Sequence, residues 1–116
     1  MEERIERTAL KHLIHTEQYA RKVLPFLKEE YFSDRLEKLI FREIALFYEK
    51  YNAQPTNETL AIELNGRKDI NDAEFQSITS TIATFQKEEI NLDWLIQTTE
   101  KFCKDRAIHN AIMDGI

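Results

Sequence analysis

The stretch Tyr31–Tyr51 limits what this chain can fold into more than any other part of it. At about 100° per residue, Leu36, Ile40, Ile44, Phe47 and Tyr51 form one apolar row, flanked by Leu39 and Leu46 on one side and Phe41 and Tyr48 on the other. That arc covers more than half of a helix circumference, whereas a surface helix needs an apolar stripe only about 100° wide. The segment must therefore be a central helix packed among other helices, with Arg35, Lys38, Arg42 and Glu49 as its solvated strip. Ser33 or Asp34 can cap its start, and Asn52 followed by Pro55 writes its end.

What surrounds that helix is also helical. The chain has only two glycines and two prolines in 116 residues, too few for the hairpins and tight turns of a sheet protein. A first helix is expected over about Glu3–His15, with Ile5, Ala9, Leu10, Leu13 and Ile14 inward, and Thr16 reads as the N-cap of a short helix that stops at Pro25. The aromatic-rich link Phe26, Leu27, Tyr31, Phe32 belongs under the core. Thr56 can cap a short helix carrying Leu60, Ile62 and Leu64, which Asn65 and Gly66 end. Asn71 with Glu74 forms a capping box for a helix with Phe75, Ile78, Ile82 and Phe85 inward. The expected fold class is all-α, a compact orthogonal bundle of about six helices ending in a long C-terminal helix. Residues 1–116 form one domain, with a globular part at about 1–90 and the long helix at about 92–116.

That last helix, opened by Asn91, changes character along its length. Leu92, Leu95, Ile96, Thr99, Phe102 and Cys103 share one face; then Arg106 and Asn110 take that face, while Ile108, Ile112 and Ile116 appear on the opposite side, roughly in line with Trp94. An apolar row that switches sides needs a cover, and the expected cover is another molecule or a continuation of the helix. Trp94, Ile108, Ile112 and Ile116 are therefore the candidate protein-interface residues. Glu43, set in the apolar arc of the central helix between Leu39 and Phe47, reads first as a carboxylate at the rim of the core near Lys50, since charged groups are seldom buried without a partner; a docking contact is the alternative reading that adds it to the candidates.

Reaction chemistry is hard to find. Gly66 and Gly115 are the only glycines, so no phosphate-binding or dinucleotide-binding glycine loop can be written, and this segment is expected to have no catalytic activity and no cofactor. His12 and His15 stand three apart, with Cys103 and His109 far along the chain and no metal-ligand spacing; they read as ordinary surface or boundary histidines, and no metal is expected. Cys103 lies on an inward stripe, as a buried structural thiol does. The formal charge is −5, from 21 acidic and 16 basic residues, without the basic cluster that neutralises phosphates, so this segment is not expected to bind DNA tightly by itself. No apolar run approaches the ~18 residues of a membrane span and no leader opens the chain; a cytoplasmic protein that contacts no membrane is expected.

The order of certain residues resembles a known family. Tyr19 to Pro25, Tyr31-Phe32, Leu39 to Ile44, Gln54-Pro55-Thr56 with Leu60 and Leu64, and Trp94 to Phe102 followed by Arg106-Ala107 are similar to the N-terminal domain of hexameric replicative DNA helicases of the DnaB type, most like those of T4-like phages. Thr56 stands where bacterial members usually carry Asp, and the customary His ahead of the central apolar run is absent; both departures favour a phage relative. The resemblance implies a helical collar domain that helps form the ring through a long helical hairpin and recruits primase. It further implies that the chain stops inside the first arm of that hairpin. The parent protein would be an ATP-dependent 5'-3' helicase whose missing motor uses ATP and Mg and through which alone single-stranded DNA is bound, in the host cytoplasm if phage-encoded. The rival expectations are the helicase-binding domain of a primase and a stand-alone adaptor such as a helicase loader.

Overall fold

A computed structural model describes residues 4–115. These residues form six α-helices: α1 Ile5–His15, α2 Glu17–Val23, α3 Arg35–Tyr51, α4 Asn57–Asn65, α5 Asp72–Ala83 and α6 Leu92–Asp114. A 3-10 turn at Glu29–Tyr31 precedes α3, and no strand is present among the described residues. The all-α class and the long last helix are as expected.

The helix starts follow local chemistry. Asp34 accepts from the Glu37 amide, Thr56 from the Thr59 amide and Asn91 from the Trp94 amide, while Asn71 and Glu74 bond reciprocally as a capping box. At the other end of α3, Asn52 takes the left-handed conformation (φ 52°), which Asn tolerates better than most residues, and turns the chain toward Pro55. Thr16 departs from expectation. It occupies the N-cap position of α2, but its hydroxyl is hydrogen-bonded to His12 Nδ1 (2.7 Å) and caps nothing.

α3 packs against α1, α4, α5 and the 3-10 turn, and α6 lies across α2, α1 and that turn. Leu39, Ile40, Phe41 and Ile44 of α3 are buried, and Phe32 from the preceding link stacks on Phe41 (5.1 Å between ring centres) and meets the edge of Phe102 (6.1 Å). One aromatic cluster thus ties the link, α3 and α6 together. The apolar arc of α3 is not fully used, however: Leu46 and Tyr51 are exposed. In α4, Ile62 points to solvent while Leu60 and Leu64 are buried.

Two residues of the α3 strip expected to be solvated, Arg35 and Arg42, bind the α4–α5 connection and the first turn of α5. Arg35 donates to Glu74 (2.7 Å) and to the Asp69 carbonyl (3.3 Å), and Arg42 donates to the Asp69 carboxylate (3.0 Å). The two guanidinium groups hold the Asp69 and Glu74 carboxyls below their usual range. On the other side of the bundle, the extended connection between α5 and α6 is held by three side chains spaced four apart on α1. Arg7 donates to Thr84 Oγ1 (3.2 Å), His15 Nε2 to the Phe85 carbonyl (2.8 Å) and Lys11 to Glu88 (3.0 Å). Asn57 adds a second donor to the Phe85 carbonyl (3.2 Å). The result is a fixed point of departure for α6.

Candidate interaction surface on the last helix

The first half of α6 is anchored by its sequence. Leu95 and Thr99 are fully buried, Phe102 and Cys103 nearly so, and Thr99 meets the Tyr19 hydroxyl inside the core (2.7 Å). Burial, with Glu100 adding to it, pushes the Cys103 thiol up to about 11, so it stays protonated and unreactive at neutral pH. Phe26, Tyr31, Cys103 and Ala107, with Glu100 and Lys104 at the margin, line a shallow groove of about 340 Å³ beside this part of the helix.

Past Cys103 the apolar packing ends. Arg106 donates to Glu6 (3.2 Å) and sits over the Phe102 ring (5.5 Å), and Asn110 donates to the Glu30 carbonyl (3.1 Å). Met113 continues the inward register of Leu95, Phe102, Arg106 and Asn110, yet it is 59% exposed, because the bundle no longer lies beneath it. Ile108 (61%) and Ile112 (59%) are exposed on the other side. Residues 111–115 are exposed throughout, so the end of α6 projects from the bundle with apolar side chains on more than one face.

Of the sequence-predicted interface residues, Ile108 and Ile112 therefore stand together on one face, while Met113 is exposed on another, the inner face to which periodicity assigns it. Ile116 lies outside the described residues. Trp94 is 53% exposed but does not join them: it sits about 21 Å up the helix at ~1.5 Å per residue. The Lys101–Asp105 ion pair (2.8 Å) occupies the surface between.

Glu43 does not belong to this surface. It is 2% exposed, and its carboxylate is gripped by Arg67 through Nη2 (2.6 Å) and Nε (3.1 Å), not by Lys50, so it is already satisfied inside the fold. His12 is likewise fully buried, against the expectation of a surface or boundary residue, and its ring meets Tyr19 edge-on. Among the described residues no group of three or more His, Cys, Asp or Glu side chains could hold a metal ion, and no helix is long and apolar enough to cross a membrane.

No protein-family model matches this chain. A DnaB-like replicative helicase of Enterobacteria phage T4 is 28% identical to it over 102 residues, which cover 88% of this chain and 21% of that helicase. What this match supports is a distant relationship to a DnaB-like replicative helicase, with the chain spanning about one fifth of the length of that relative.

Proposed function

We propose that this chain is the N-terminal assembly and protein-interaction domain of a replicative DNA helicase, one helical domain ending in a long helix and without catalysis of its own. In this role the projecting end of α6 pairs copies of the protein and helps build a ring, and the collar so formed recruits primase. Nucleotide hydrolysis with ATP and Mg, 5'-3' unwinding and contact with single-stranded DNA belong to the parent protein, in the cytoplasm of its host. The observation that carries the proposal is the similarity to the phage T4 helicase across 88% of the chain and only 21% of that relative. The exposed group Ile108, Ile112 and Met113 supports the assembly role, because apolar side chains at a projecting helix end lower the free energy of association when a partner covers them.

Sedimentation equilibrium tests the assembly role. The unmodified chain should form dimers or higher species as its concentration rises, and Ile112→Asp should remain monomeric with an unchanged far-ultraviolet dichroism spectrum. A monomer at every concentration would refute pairing through α6. ATP hydrolysis tests the assignment to a helicase: the chain should be inactive and the full-length protein active, and hydrolysis by the chain alone would refute it.

A further inference from the structure

The two halves of α6 are attached to the bundle by different physics. From Leu92 to Cys103 the inner face is apolar and buried, and its one buried polar side chain, Thr99, is fully hydrogen-bonded. From Lys104 to Asp114 no side chain of the helix is buried; Arg106 and Asn110 are only partly covered, and each reaches one acceptor of the bundle. The acceptors differ in strength. Glu6 is nearly buried on α1 and is also paired with Arg4 (3.7 Å), whose guanidinium bonds Glu37 of α3 in turn. The Glu30 carbonyl belongs to the 3-10 turn that leads into α3.

We propose that Glu6 and the Glu30 carbonyl form a releasable clasp on the distal half of α6, so that Lys104–Asp114 is an arm that opens while Leu92–Cys103 stays docked. Two polar contacts, one partly buried and one facing solvent, are the kind of attachment that opens locally at far lower free energy than a packed core. The arm carries Ile108, Ile112 and Met113, so its seat governs how they are presented, whatever molecule covers them. The clasp therefore goes beyond the proposed assembly role and does not depend on it.

Hydrogen exchange of the purified chain, read by mass spectrometry, decides the matter. Amides of 104–114 should exchange faster than those of 95–103 in the unmodified chain. The double variant Arg106→Ala with Asn110→Ala should speed exchange in 104–114 by at least about tenfold, the loss expected for one charge-assisted and one ordinary hydrogen bond, and leave 95–103 unchanged. Alanine is the better helix former at both positions, so fraying governed by intrinsic propensity predicts the opposite direction. Unchanged or slower exchange in 104–114, or an equal rise across 95–114, overturns the clasp. Raising the ionic strength gives a second reading without substitution: exchange in 104–114 alone should accelerate as the Arg106–Glu6 pair is screened, and insensitivity to salt counts against the clasp. Neither result bears on self-association, which sedimentation measures separately.

Discussion

The Tyr19 hydroxyl donates its proton to Thr99 Oγ1 across 2.7 Å, joining α2 to α6 inside the core. The direction follows from the neighbours. The Thr99 hydroxyl is itself the donor to the Leu95 carbonyl (2.8 Å), which can only accept, so the Thr99 oxygen is left to receive from Tyr19. Both side chains are fully buried, which makes the pair sensitive to the loss of one member.

Thr99→Val is nearly the same shape and strands the Tyr19 O–H donor without an acceptor, so it should cost about 1–3 kcal/mol in urea unfolding. Tyr19→Phe should cost less, at most about 1 kcal/mol, because the Thr99 hydroxyl keeps its bond to Leu95. The double variant should be more stable than Thr99→Val alone. A cycle in which the two losses simply add would show that the two hydroxyls do not act as a pair.

The same burial fixes the alkaline limb of stability. It pushes the Tyr19 phenol well above its ordinary range and the Cys103 thiol up to about 11. In the unfolded chain these groups lose their protons near their ordinary values of about 10 and about 8.5, while the folded chain still holds them, so the folded state there binds more protons than the unfolded one. Their contribution is complete below those values and falls as pH rises through the folded ones. Urea unfolding should thus show stability declining above about pH 9, and Cys103→Ala should flatten the first part of the decline and Tyr19→Phe the later part.

Glu43 and Arg67 form a bidentate pair with unequal exposure, the carboxylate buried and the guanidinium partly open to water. Arg67→Met leaves the carboxylate without its counter-ion and should cost about 3 kcal/mol, toward the lower end of the range for broken buried pairs because water can approach where the guanidinium was. Glu43→Met combined with Arg67→Met should recover most of that loss, since two apolar side chains require no charge compensation. Thermal unfolding of the three proteins checks both points.

The connection from α5 to α6 should be guarded by its donors. Lys87 is exposed, beside Phe85, whose carbonyl receives both His15 and Asn57. Replacing His15 and Asn57 together with Ala should quicken tryptic cleavage after Lys87 relative to the other exposed lysines, with little change in the circular dichroism spectrum. Equal cleavage in the two proteins would show that the connection is held elsewhere.

Helix starts, helix ends and most inward faces were determined by sequence alone, because each rests on groups close together along the chain. Asp34, Thr56, Asn71 and Asn91 each accept from an amide three residues on, and Leu36, Ile40 and Ile44 align through the helical repeat itself. Tertiary structure decided the partners of the polar side chains and the places where packing stops. The sequence places Glu43 at the rim of the core near Lys50 or in a docking contact, but its partner is Arg67, 24 residues away, and His12, a surface or boundary residue by its sequence position, is closed over by its surroundings. Met113 keeps the inward register of α6, but whether an inward position is buried depends on a neighbour being there, and beyond Asn110 the bundle provides none. Periodicity specifies which way a side chain points relative to its own helix; only the assembled fold specifies what it meets.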